Sequence, residues 1–177
     1  MSLPAGLMLE VSVDCEAWLG ELPQYEDHCR ISLIQIVKNV LEGASLNKFS
    51  HIELSIVLCD DALIHQLNND FRNKDKATNV LSFCGLEDKQ IENYLRSNEQ
   101  VPDFPHSLGE IYIAFETMKD EAIKANISIK DHFLHLTTHG ILHLLGYDHV
   151  IDDEAEVMEA LETKLLCNLG IDDPYRA

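Results

Sequence analysis

The stretch "THGILHLLGYDH", residues 138–149, sets three imidazoles, His139, His143 and His149, into an otherwise apolar run. The first two stand one helical turn apart on a single face. Looking back to residue 132 adds His132 and His135, and on a 100° wheel the four helical histidines fall within roughly an 80° arc. Phe133, Leu134, Ile141, Leu142, Leu144 and Leu145 cover most of the remainder. A helix that is apolar nearly all round is buried, and the ring nitrogens of its one polar stripe need partners. "SIKD" (128–131) reads as a capping box with Ser128 as N-cap, and Gly146 is a C-terminal stop. The helix is predicted to run to about Leu145.

Axial distance selects among the histidines. Beyond Gly146 only Tyr147 and Asp148 precede His149, so the chain reaches back about 10 Å at full extension. The level between His139 and His143 lies about 7.5 Å from Gly146, and that between His135 and His139 about 13.5 Å. His149 can therefore join His139 and His143, and these three are the expected metal ligands. His132 and His135 are expected as pocket walls. Neutral imidazoles without thiolates suit one divalent ion, Zn2+ best, with nickel, cobalt or iron also fitting. Three protein ligands leave a fourth tetrahedral position open, which marks a catalytic site more than a structural one.

The spacing H-x-x-x-H-x-x-G-x-x-H is that of the metzincin proteases, which carry a glutamate general base directly after the first histidine. Here that position is Gly140, which cannot take a proton. Phosphodiester cleavage, with cationic stabilisation of the phosphate, asks less of such a base. "FRNKDKATNVLSF" (71–83) supplies Arg72, Lys74 and Lys76, a basic cluster in an acidic chain. An arginine fork is the usual device for gripping a phosphate.

The rest of the chain alternates strand and helix patterns. "LMLEVSVDC" (7–15), "HIELSIVLC" (51–59), "TNVLSFC" (78–84, a short buried strand) and "LGEIYIAF" (108–115) read as strands. "QYEDHCRISLIQIVKNVLEGA" (24–44) reads as a helix burying Ile31, Ile34, Val37, Val40 and Leu41, and 60–72 as one burying Leu63, Leu67 and Phe71. Another begins at Glu116 and breaks near Asn126. A last helix, about 152–169, is expected to turn Val157, Leu161 and Leu165 inward and Glu156, Glu159 and Glu162 outward. Residues 85–107, polar and with two prolines, read as a surface loop or insertion. The expected class is α+β, with residues 1–177 as a single domain: a mixed sheet of about four strands, packed with helices around a zincin-like metal-site helix.

Thirteen Lys and Arg against 31 Asp and Glu give a net charge of −18. So acidic a surface repels phosphate backbones at long range and attracts basic partners. Five scattered cysteines, without C-x-x-C spacing, point to reduced thiols in a cytoplasm. No apolar run approaches the ~20 residues that cross a bilayer, and the N-terminal stretch lacks the pattern of a secretion signal. A cytoplasmic protein without a membrane partner is expected.

"HGILHLLGYDH" (139–149), "LNNDFRNKDKATNVLSF" (67–83) and "LGEIYIAFET" (108–117), in that order, resemble the YbeY family of bacterial endoribonucleases. The resemblance implies a metal-dependent, single-strand-specific endoribonuclease, a hydrolase acting in ribosomal RNA maturation and ribosome quality control. It implies His139, His143 and His149 as metal ligands and Arg72 as the catalytic arginine. Ribosomal proteins and a ribosome-assembly GTPase are the implied partners. Family members often read Asp at the positions of Asn79 and Glu110, so both residues stay outside the expected catalytic set. Two other functions compete: a ribosome-assembly binding factor whose metal is structural, favoured by the charge, and a metallopeptidase, weakened by Gly140.

Overall fold

The computed structural model describes residues 2–176. Its centre is a four-stranded sheet in the order β1-β2-β4-β3. Strands β1 (Leu7–Val13), β2 (Ile52–Cys59) and β4 (His106–Ala114) run parallel, and β3 (Val80–Cys84) lies antiparallel at one edge. The fold class is α+β, as expected. Helices α1 (Ala17–Glu21), α2 (Tyr25–Asn39) and α3 (Leu41–Ser45) connect β1 to β2, and α4 (Asp61–Arg72) connects β2 to β3. A short helix, α5 (Asp88–Gln90), runs into a π turn (Ile91–Leu95) before β4. Helices α6 (Phe115–Ala125), α7 (Ile129–Leu144) and α8 (Asp152–Cys167) follow.

One face of the sheet is covered by α7, which crosses β3 and β4 and is itself packed against α2, α6 and α8. This accounts for its composition: Phe133, Ile141, Leu142 and Leu144 are fully buried. Ser128 accepts the Asp131 N–H at 3.0 Å, fixing where the helix begins. Trp18 ties the layers together. Its indole N–H donates to the Cys59 carbonyl at 2.9 Å, and Phe115 and Phe133 stand edge-on to it at 5.2 and 5.4 Å. All five cysteines are free thiols.

Several faces differ from their expected orientation. The helix over 24–44 breaks at Val40, whose backbone is extended, and buries Cys29, Leu33 and Ile36, leaving Ile31 and Leu41 exposed. Helix α4 buries Ile64 and Asn68, and Phe71 is 68% exposed. Strand β3 buries only Leu81, because it is an edge strand. Residues 85–107 are not all loop: Leu86 is in the core, and Ile91 and Leu95 enter it from the helical turns at 88–95. Two apolar residues at i, i+4 suffice to seat a turn that its polar neighbours conceal.

The largest correction concerns α8. Its inner face is Met158, Glu162, Leu165 and Leu166, one residue round from the expected one, and Val157 is 54% exposed. Glu162, expected in solvent, is 0% exposed. A carboxylate is tolerated there because it receives hydrogen bonds from the histidine stripe of α7 and from Tyr175.

Candidate metal centre

Helix α7 ends in a Schellman turn: the Gly146 N–H donates to the His143 carbonyl at 3.0 Å and the Tyr147 N–H to that of Leu142 at 3.1 Å. Gly146 has φ +94, a conformation that a side chain would strain. The turn carries His149 back beside the helix. Ring centroids lie 4.5 Å apart for His139–His143, 5.0 Å for His143–His149 and 5.4 Å for His139–His149. One ring nitrogen from each of the three lies within 4.8 Å of the others, so the group could hold a metal ion. His132 and His135 stand apart from it, the former against Glu121 and the latter against Glu162.

The partners of the outer nitrogens set the tautomers. His143 Nδ1 faces the Tyr147 carbonyl at 2.9 Å, which can only accept. His139 Nδ1 faces Glu162 Oε1 at 2.7 Å. Burial raises the Glu162 carboxyl, but hydrogen bonds from His135, His139 and Tyr175, with the charge of His139, outweigh it and hold the group at about 2. Glu162 is therefore ionised and also accepts. Both Nδ1 atoms carry hydrogen, and the two Nε2 atoms turn their remaining capacity toward each other across 3.0 Å. Two lone pairs so placed need a positive centre between them, either a proton on one ring or a metal cation. Burial, then the charges of His139 and His149, pushes His143 down to about 4, so its ring is neutral at pH 7. The donor set fits a divalent ion.

The returning turn is braced from elements remote in sequence. Tyr147 donates its hydroxyl to Glu42 Oε2 at 2.6 Å, and Arg96 Nε donates to Glu42 Oε1 at 3.0 Å. Arg96 also donates to the Gly146 carbonyl at 3.3 Å. Glu42 comes from α3, and Arg96 from the stretch read as an insertion. On the opposite side, the Tyr175 hydroxyl donates to the Glu162 oxygen that faces His135.

Arg72 opens onto the same cleft of about 680 Å³ as the three histidines, with Lys74 and Lys76. It donates to the Ser82 carbonyl at 3.2 Å, on the free edge of β3. The Ser82 hydroxyl in turn donates to the Gly140 carbonyl at 3.2 Å. Gly140 faces the sheet: a Cβ there would lie 2.9 Å from Ile111 Cγ2 and 3.2 Å from Ser82 Oγ. Asn79 donates to both oxygens of Glu121, at 3.0 and 3.2 Å, a place where aspartate would meet like charge. Glu110 is exposed and borders Tyr112.

Sequence reasoning missed Glu162, Tyr175, Glu42 and Arg96. Only Glu162 left a signal, standing four residues after Met158 and three and four before two leucines.

The family model described as Endoribonuclease YbeY matches residues 23–170. The chain belongs to the YbeY family. A relative from Paramagnetospirillum magneticum, Endoribonuclease YbeY, is 47% identical over 94% of this chain and 96% of its own. Relatives of the same name from Methylocella silvestris and Bradyrhizobium diazoefficiens are each 42% identical, covering 96% and 99% of this chain and 86% and 88% of theirs. The solution structure of TM1509 from Thermotoga maritima matches 96% of this chain and all of its own, with TM-score 0.53 and 21% identity, a likeness of fold. Among the described residues no helix is long and apolar enough to cross a membrane.

Proposed function

We propose that residues 1–177 act as one metal-dependent, single-strand-specific endoribonuclease domain, working in ribosomal RNA maturation and ribosome quality control in the cytoplasm. The observation that carries the metal is the pair of facing Nε2 atoms of His139 and His143, 3.0 Å apart, with His149 closing on them. Family membership carries the RNA. His139, His143 and His149 hold the ion, with Zn2+ the best fit to three neutral imidazoles and nickel next. When bound, such an ion supplies Lewis acidity toward a phosphoryl oxygen and lowers the pKa of water.

The chain's own residues do the rest. Glu162 and the Tyr147 carbonyl keep His139 and His143 in the Nδ1–H tautomer, with Nε2 toward the cleft. Arg72 spends one of its five N–H donors on the Ser82 carbonyl, and the others are free to fork onto a phosphate. Gly140 leaves no general base inside the motif, which disfavours peptide hydrolysis. The −18 charge slows unaided capture of RNA, and basic ribosomal proteins with a ribosome-assembly GTPase are the partners that would deliver it. That charge also favours a second reading, an assembly factor whose metal is structural.

Metal analysis paired with cleavage of precursor ribosomal RNA decides between them. Wild type should carry metal and cut, His143→Ala should lose both, and chelation should abolish cutting while the fold persists. Full cleavage after verified metal removal would overturn the metal role, and metal-loaded protein that binds ribosomal particles yet cuts nothing would establish the second reading. A substrate with one deoxyribose at the cut separates attack by water from attack by the ribose hydroxyl.

A further inference from the structure

Phe71 immediately precedes the cleft-lining Arg72 on α4 and is 68% exposed, more open than the other exposed aromatic residues, Phe104 at 53% and Tyr175 at 42%. A large aromatic ring left in water beside a charged residue of the site is the kind of exposure that carries information. It is not loose. Its ring stands edge-to-face with Phe83 at 5.4 Å and 69°, and Phe83 stands the same way to Tyr112 at 5.9 Å and 83°. In either sense of an edge-to-face pair, Phe83 leaves at least one face of Phe71 uncovered.

Phe83 ties this ring to the histidine helix. Its chain neighbours on β3, Ser82 and Cys84, contact the carbonyls of Gly140 and His143 at 3.2 and 3.6 Å. Ser82 points toward α7, so the alternation of the strand sends Phe83 to the opposite face of the sheet. The cleft and the aromatic stack are thus separated by the thickness of one strand. Arg72 straddles its free edge at the Ser82 carbonyl. Lys74 and Lys76 line the cleft with Arg72, three of only 13 Lys and Arg in a chain of net charge −18.

We infer that Phe71 is a nucleobase subsite: it stacks an unpaired base of the nucleotide flanking the phosphate held by Arg72. This rests on the RNA reading above and adds a physical reason for single-strand preference. A phosphate gripped at the strand edge leaves its base to turn outward over β3, onto Phe71, and only an unstacked base can do so. Stacking on an aromatic face is sequence-tolerant and worth a marked part of single-strand affinity.

The test uses the full-length, metal-loaded protein and single-stranded oligoribonucleotides carrying 2-aminopurine or an abasic ribose beside the cut. Phe71→Leu keeps an apolar side chain without a π face, and Phe71→Tyr restores it. Stacking predicts a Kd and KM raised roughly tenfold in Phe71→Leu, near-wild-type values in Phe71→Tyr, and kcat within about twofold in both. It predicts 2-aminopurine quenching on binding that Phe71→Leu abolishes. The abasic substrate should bind wild type and Phe71→Leu equally weakly. Wild type that binds and cuts RNA, with Kd and quenching unchanged in Phe71→Leu, overturns the base subsite alone. Phe71→Leu that loses a protein contact but no RNA affinity assigns the ring to a protein partner and overturns it too. Metal-loaded wild type that neither binds nor cuts RNA overturns the underlying reading as well.

Discussion

Glu162 Oε1 lies 2.7 Å from His139 Nδ1, and the other oxygen of the same carboxylate lies 2.8 Å from His135 Nε2. A carboxylate behind a ligating histidine fixes the ring and raises its basicity. Glu162→Ala should weaken metal binding roughly 10–100-fold. Leaving two partly buried imidazoles without their acceptor should cost about 1–3 kcal/mol of stability. Glu162→Gln keeps an acceptor for one ring and should fall between. Competition with a chelator of known affinity, beside urea unfolding of the metal-free proteins, reads both effects.

Arg96 and Glu42 brace the turn that returns His149. Arg96→Ala leaves the buried Glu42 carboxylate with only the Tyr147 hydroxyl, which should cost about 2–3 kcal/mol. It should also lower metal affinity roughly tenfold by loosening Gly146 and Tyr147. Tyr147→Phe should do less, since Arg96 still pairs with Glu42. Equal metal affinity in wild type and Arg96→Ala would show that the turn holds without its brace.

Gly140 is a packing glycine. Gly140→Glu should not install peptidase activity, because a Cβ there already meets Ile111 and Ser82 in the sheet. Gly140→Ala should destabilise by about 1–3 kcal/mol, less any gain in helix propensity. Thermal unfolding of both variants and a casein assay of Gly140→Glu check this.

Arg72 donates to the Ser82 carbonyl, and in the proposed function the rest of its fork would take the phosphate. Arg72→Ala should lower kcat/KM for RNA roughly 10²–10³-fold with metal content unchanged. Arg72→Lys should recover little, because a single ammonium cannot hold both partners in the same geometry. Lysine that restores full activity would reduce Arg72 to a point charge.

The metal-free protein should lose stability on acidification in two stages. His143 falls from an ordinary 6.5 to about 4, so between those values the unfolded chain binds the proton more strongly and stability drops as pH falls. Glu162 falls from an ordinary 4.5 to about 2, so its contribution is full above 4.5 and lost as pH falls toward 2. Urea midpoints should decline from about pH 6.5 downward. His143→Gln should flatten the upper stage and Glu162→Gln the lower. A midpoint constant from pH 7 to pH 5 in wild type would contradict the first stage.

The histidine group was legible because everything that builds it lies within eleven consecutive residues. Helical rise, a glycine turn and chain reach are local quantities, and they place three rings without knowledge of the rest. The strands were legible for the same reason. What supports the rings was not: Glu42, Arg96, Glu162 and Tyr175 come from four separate segments, and their meeting is a product of tertiary packing. Glu162 was misplaced because charge normally marks the wet side of a helix, and here it marks a buried acceptor. Phe71 was misplaced by the reverse assumption, that an aromatic residue at helical spacing faces inward.

Tyr175 sits thirteen residues past Glu162, and its hydroxyl shares the carboxylate oxygen that serves His135. The segment after α8 is thereby a clasp on the carboxylate that His135 and His139 share. Losing that hydroxyl, as in Tyr175→Phe, would unfasten the clasp and admit water to Glu162. Preparations differing only in that one oxygen should then differ in how much metal survives purification.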